Sequence, residues 1–351
     1  MIADPPKTVC ILRLSALGDV CHVLAVVRTL QQAWPATRFT WIIGKLEAKL
    51  LGHIPDIEFI VFDKKAGSAA FKQLRQQLRG RKFDVLMHMQ LALRASRIAW
   101  RVPAKIKLGF DRARAGELQW LFTNRKITPQ TNQHVLDGLF GFAEYFGIHE
   151  RLLQWNVPLT ADAQQYAEKV IPDTQPTLII SPCSSHPLRN WRAEYYAEVA
   201  DYAIAHFGMR VLLCGGRSEL ELQTGHDIVA YMKNPCHNLI GQDTLLQLLA
   251  TLKRATVLLS PDSGPAHMAT MVGTPVIGLY AATRLARCGP YLSRQWCVDK
   301  FDIAAQKLKH TAPDKIPWTR KIELDGVMDL ITPHDVLKKL HGVMKQQTKR
   351  S

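Results

Sequence analysis

Cysteine pairs are missing from this sequence. The 351 residues hold seven cysteines, an odd number, and none stand as CxxC. That spacing excludes a disulfide framework or a zinc knuckle and predicts reduced thiols. No apolar run reaches the roughly 18–20 residues of a spanning helix, and residues 1–8 lack the hydrophobic core of a signal peptide. The expectation is a cytoplasmic protein. The phosphate and metal signatures are also missing: no GxxxxGK[ST], no GxGxxG, no HExxH, no DxD and no GxSxG. Their absence argues against Walker-type, nicotinamide-dinucleotide, zincin and hydrolase-elbow chemistry. Acidic residues are scarce relative to basic ones, 30 against 45, for a formal charge of +15. Such a balance favours an anionic partner: nucleic acid, an anionic membrane face or a phosphorylated small molecule. The aromatics are not interleaved with the basic residues as stacking platforms for nucleic acid would require.

What is present reads as α/β. A chain of this length is comfortable as two domains. Two segments resemble openings of doubly wound domains. One is the apolar run from Val9 to Leu14, with Ser15-Ala16-Leu17-Gly18-Asp19 and a helical pattern behind it. The other is Thr177 to Ser181, followed by a polar loop to Asn190 and a second helical pattern. Further apolar runs predict strands at 39–43, 58–62, 84–89, 105–109, 210–214, 256–260 and 275–280. Helical periods separate several of them at 68–80, 92–101, 134–147, 193–207 and 243–253. The alternation predicts two doubly wound domains. The expected division is 1–165, 166–330 and a last helix with its tail over 331–351, the linker falling within 155–176. The Lys- and Pro-rich stretch 299–325 reads as a long loop, and the tail Lys349-Arg350-Ser351 as frayed.

Five stretches could carry chemistry. Ser15 to Asp19 lies at a strand-to-helix junction, where open α/β sheets bind ligands. Gly18 allows close approach there, and Asp19 either offers a carboxylate or caps the helix. Ser181 to Trp191 brings hydroxyls and Arg189 to a helix start, a chemistry suited to a diphosphate; an ordinary polar loop with Arg189 paired locally is the plainer alternative. Ser260 to Met268 opens another helix, where Ser263 and Gly264 expose amides and Asp262 would accept from sugar hydroxyls. Asp262 or Ser263 as a simple cap, with His267 structural, is the alternative there. Gly215-Gly216 permits a backbone to approach a base or ribose. Arg94, Arg97 and Arg101 share one helix face that could hold an anionic group, although a charge run is more often a solvated surface.

Together, S-x-x-G-D after a first strand, the mid-chain Ser-rich loop ending in a basic residue and Trp, and a late D-S-G-x-x-H resemble the ADP-heptose:lipopolysaccharide heptosyltransferases, glycosyltransferase family 9. The likeness spans nearly the whole chain in order. The region from Leu91 through Phe110-Asp111 looks most like heptosyltransferase I, which adds the first heptose to the Kdo sugar of the inner core. The resemblance implies a GT-B fold of two Rossmann-like domains facing a cleft, with the last helix returning to the N-terminal lobe. It implies an inverting, metal-independent transfer from ADP-heptose with no cofactor. It also implies that Asp19 is the general base, that Ser184, Ser185 and Arg189 hold donor phosphates, and that Asp262, Ser263, Gly264 and His267 form the donor motif. Ser15 stands near the acceptor, and Gly18, Arg94 and Arg97 complete that side. The implied partners are the nucleotide sugar, a lipid-linked Kdo acceptor and, peripherally, the anionic inner face of the inner membrane, with no nucleic acid. Two departures from the family pattern are the Pro182-Cys183 and Pro187 positions of the donor loop and the length of 299–325. The competing readings are a GT-B transferase with another nucleotide sugar and a non-catalytic nucleic-acid-binding protein.

Overall fold

The structure is a computed structural model that describes residues 4–348. The tail at Lys349–Ser351, expected to be frayed, lies outside the described residues. The chain divides into two compact units between Pro158 and Leu159.

The first unit carries β1 (Thr8–Leu12), α1 (Leu17–Ala33), β2 (Arg38–Gly44), α2 (Lys45–Leu51), β3 (Ile57–Phe62), α3 (Gly67–Gln77), β4 (Phe83–His88), α4 (Leu93–Arg101), β5 (Ala104–Gly109), β6 (Arg125–Lys126) and α5 (Val135–Glu144). Its six strands are parallel, in the order β3-β2-β1-β4-β5-β6. The central strands are apolar along their length because both faces are covered: Val9 to Leu12 are fully buried. One face packs α3 and α4 through Leu74, Leu78, Ala95 and Ile98 against Cys10, Leu12 and Leu86. Helix α1 pairs with α5.

The second unit begins with α6 (Ala161–Val170), then β7 (Thr177–Ile180), α7 (Ala193–Phe207), β8 (Arg210–Leu213), α8 (Glu219–Tyr231), β9 (His237–Asn238), α9 (Leu245–Arg254), β10 (Val257–Pro261), α10 (Gly264–Met271), β11 (Val276–Tyr280), α11 (Leu285–Cys288), β12 (Val298–Asp299), α12 (Phe301–Lys309) and α13 (Pro333–Thr348). Its order is β12-β11-β10-β7-β8-β9, again all parallel. Both sheets thus follow the 3-2-1-4-5-6 order of a Rossmann fold.

One expectation is corrected. The stretch 299–325 is not one long loop. Phe301, Ala304 and Ala305 of α12 form an apolar i, i+3, i+4 stripe in the second core. The division at 158/159 lies within the expected linker 155–176, and Ala163 and Ala167 of α6 pack on Ala250 of α9. Val336, Leu340 and Val343 of α13 lie in the core of the second unit, against α7, β11 and β12. The short helix α2 and the helix α8 after Gly215-Gly216 were not anticipated.

Candidate active site

In a 3-2-1-4-5-6 sheet, the loops after the first and fourth strands diverge to opposite faces and open a crevice at the carboxyl edge. Each unit brings its motif residues to this switch point.

In the first unit, the loop after β1 carries Ser15 and ends in α1, whose first turn holds Asp19. Asp19 Oδ2 accepts from the Ala16 N–H at 3.0 Å and pairs with Arg13 Nη2 at 2.5 Å. Asp19, third in the helix behind the N-cap Ala16, thus closes the first turn and is also clamped by a cation. Arg13 donates to the Ser15 carbonyl at 2.8 Å and to the Met89 carbonyl, so one guanidinium ties together the loops after β1 and β4. Gln90 completes the tie, accepting from the Leu14 N–H at 2.7 Å and donating to Ser15 Oγ at 3.3 Å. Gly18 lies between these groups in the first turn.

Two other titratable groups lie near this edge. His88 is fully buried against Ser96, and burial with Arg13 and Lys107 nearby pushes its imidazole down to about 3. It is neutral at physiological pH. Glu47 is buried beside Gly44, and burial raises its carboxyl above the usual range. Asp19 keeps 30 % of its side chain exposed.

Arg94 and Arg97 lie on the exposed side of α4. They line a pocket of about 410 Å³ with Lys64, Arg101, Phe62 and Phe71. The guanidinium groups of Arg97 and Arg101 stack over Phe71 at 5.1 and 4.8 Å.

In the second unit, the loop after β7 folds on itself. Ser184 is buried, donates its N–H to Asn190 Oδ1 at 2.7 Å and donates its hydroxyl to the His186 carbonyl at 3.0 Å. Ser185 is exposed, and its Oγ accepts from Arg189 Nη2 at 3.3 Å. Arg189 is held between two carboxylates, Glu323 at 3.1 Å and Asp262 at 4.0 Å. The loop after β10 supplies Asp262, then Ser263 as the N-cap of α10. The Ser263 hydroxyl turns to Ser260 Oγ at 2.7 Å and caps no amide, so the amides opening α10 at Gly264 and Ala266 are left for a ligand. His267 lies buried in the same helix. Cys288 approaches Asp262 Oδ2 at 3.5 Å from the other side. Gly215 is buried at the end of β8, and Glu221 takes the neighbouring Gly216 N–H at 2.7 Å.

The structure therefore joins Ser15, Gly18 and Asp19 at one switch point and Ser185, Arg189, Asp262, Ser263 and Gly264 at the other. Arg94 and Arg97 form a separate pocket. Ser184 Oγ donates to the His186 carbonyl and accepts from the His186 N–H within its own loop. The sequence reading missed Arg13, Gln90, Glu47 and Glu323. Arg13 ends the first strand run and carries no local mark. Glu323 comes from the stretch read as loop, and only the fold brings it to Arg189. Among the described residues, no group of three or more His, Cys, Asp or Glu side chains is arranged to hold a metal ion.

Two Rossmann-order sheets, each with polar loops at its switch point, make this a GT-B protein. Residues 71–315 match the family model of glycosyltransferase family 9 (heptosyltransferase). The chain is 41% identical over 346 residues to the lipopolysaccharide core heptosyltransferase OpsX of Haemophilus influenzae, covering 99% of this chain and 98% of that one. Among solved structures, it is similar to a glycosyl transferase family 9 protein from Veillonella parvula, with a TM-score of 0.79 at 22% identity and 97% of both chains covered. It also resembles the ADP-heptose LPS heptosyltransferase II of E. coli, with a TM-score of 0.74 at 18% identity over 97% of this chain and 99% of that one. The chain belongs to glycosyltransferase family 9 and is a heptosyltransferase of the lipopolysaccharide core. That membership displaces the reading of a non-catalytic nucleic-acid-binding protein.

Proposed function

We propose that this heptosyltransferase transfers heptose from ADP-heptose to the Kdo, or phosphorylated Kdo, of the lipopolysaccharide inner core, by a single inverting displacement without a metal ion. The acceptor oxygen attacks the anomeric carbon as the carbon–phosphate-oxygen bond breaks and ADP leaves. Asp19 accepts the hydroxyl proton. Its known contacts fall on Oδ2, which leaves Oδ1 for the acceptor, while Arg13 and the Ala16 N–H fix the carboxylate's direction. Arg189, the Ser185 hydroxyl and the open amides of α10 offset the charge growing on the departing diphosphate, the task that a divalent ion performs elsewhere. Asp262 and His267 orient the heptose, and Gly215 lies beside the nucleoside. Arg94 and Arg97, with Lys64, receive the acceptor's anionic groups.

The observation that carries this reading is the Arg189–Asp262 pair, set beside uncapped helix amides at the switch point of the second sheet. It combines a cation for diphosphate with a carboxylate for sugar hydroxyls. The lipid-linked acceptor implies work at the cytoplasmic face of the inner membrane; among the described residues no helix is long and apolar enough to cross one.

The test is purified protein with ADP-heptose and truncated core acceptors, with the product read by mass. Asp19→Asn is expected to lower transfer by roughly 10²–10⁴-fold while ADP-heptose still raises the melting temperature. Near-normal turnover in that variant would remove Asp19 from the role of base. Arg189→Ala is expected to raise KM for the donor. A panel of nucleotide sugars in the same melting assay decides the donor, and a larger shift with another sugar overturns ADP-heptose.

A further inference from the structure

Apolar side chains exposed singly are ordinary, but a cluster interleaved with one sign of charge points to a partner. The first unit has such a cluster. Leu93 and Trp100 lie seven residues apart on α4, hence on one face, and are 47% and 67% exposed. Beside them runs the turn at 118–121, whose Leu118, Trp120 and Leu121 are 55%, 39% and 57% exposed. The two segments are joined: the turn packs on α4, and the Leu93 N–H at the start of α4 donates to the Glu117 carboxylate. Burial of Ala95, Ile98 and Ala99 fixes which side of α4 faces outward.

Apart from Glu117, whose carboxylate is bonded at the start of α4, the charges named around these side chains are basic. Arg97 and Arg101 share the outer face of α4, Arg112 stacks over Trp120 at 4.6 Å, and Arg125 is exposed just past the turn. Tryptophan and leucine ringed by arginine is the composition that binds the headgroup–acyl boundary of an anionic bilayer. There the rings bury their carbons and the guanidinium groups meet phosphates.

We propose that the face built from α4 and residues 118–121 docks the enzyme on an anionic lipid surface. The inference rests on the reading above that the acceptor is lipid-linked, and it names the surface that brings the enzyme to it. The basic pocket of Arg94 and Arg97 adjoins this face, so docking would present that pocket to groups at the headgroup level.

The test is sedimentation of the full-length enzyme with vesicles of phosphatidylcholine alone or with about 30% phosphatidylglycerol. Binding is expected only to the anionic vesicles. It should weaken as salt rises from about 0.1 to 1 M, where the screening length falls from about 10 to 3 Å. Trp100→Ser and Leu121→Ser should each weaken vesicle binding about tenfold. Transfer to a soluble, deacylated acceptor should stay at the parent level. Transfer to an acceptor embedded in vesicles should fall. Vesicle binding unchanged in both variants, or equal binding to neutral vesicles, overturns the proposal. So does a change in the particle mass of the lipid-free enzyme in either variant, which would mark the face as a contact between copies. If the parent enzyme transfers nothing to the soluble acceptor, the functional reading fails instead, whatever the vesicles show.

Discussion

At the residue scale, Arg13 holds more of the first site together than any residue the motifs single out. Its fork reaches the Ser15 carbonyl, the Met89 carbonyl and the Asp19 carboxylate, with only 12% of its side chain exposed. On the proposal that Asp19 is the base, Arg13 is a positioning residue that acts through it. Arg13→Gln is then expected to lower kcat by about 10–100-fold with little change in donor KM, because the proposed base loses its alignment rather than the donor its anchor. Arg13→Lys should rescue only part, since an ammonium cannot bond three groups in the fixed fork of a guanidinium. Unchanged kcat in Arg13→Gln would show that Asp19 needs no such clamp. Asp19 itself was legible because a carboxylate after S-x-x-G at a first strand-to-helix turn is a local pattern. Arg13 was not, because an arginine just after a strand run has no local mark, and its partner at Met89 comes within reach only once β1 and β4 are neighbours.

At the element scale, the segment between β11 and α13 shows where composition misleads. Lysine and proline obscure a helix whose buried stripe is only three residues long. Phe301 at its start is 2% exposed, in the second core, and Arg284 stacks over its ring at 4.2 Å. Phe301→Ala is expected to destabilise the second unit by about 3–5 kcal/mol, the usual range for deleting a buried aromatic ring. Chemical denaturation followed by tryptophan fluorescence measures it, and a loss below about 1 kcal/mol would mean that α12 is not held by this contact. The nine longer strands, by contrast, lie within one or two residues of where their apolar runs predict them; the two-residue edge strands β6, β9 and β12 carry no such run and were missed. A parallel strand covered on both faces must be apolar at every position, which makes it visible without periodicity.

At the scale of the whole molecule, stability is coupled to pH through Asp243, which precedes α9. Burial pushes its carboxyl up to about 7 from an ordinary 3.8, and Arg217 offsets only part of this. Between about pH 4 and 7 the native protein holds a proton that the unfolded chain has released. Raising the pH through that window therefore costs stability, by up to a few kcal/mol, and the loss is complete above about 7. Asp243→Asn cannot ionise. Its melting temperature should fall less than the parent's over that window and exceed the parent's at about pH 8. Parallel melting curves for the two proteins would contradict the assignment.

The order of the sequence alone determined that two α/β units exist, that each opens with a strand, a polar loop and a helix, and that serine, arginine and aspartate lie at those openings. These are local facts, set by runs of apolar residues and by what may follow a strand. The tertiary structure decided which carboxylates hold Arg189, which cation holds Asp19, and to which core the last helix belongs. The Arg189 contacts join residues more than seventy positions apart, Arg13 is oriented toward Asp19 while it also bonds Met89 across the sheet, and the last helix rests on a choice between buried faces; short-range chemistry leaves such choices open until the sheets are assembled.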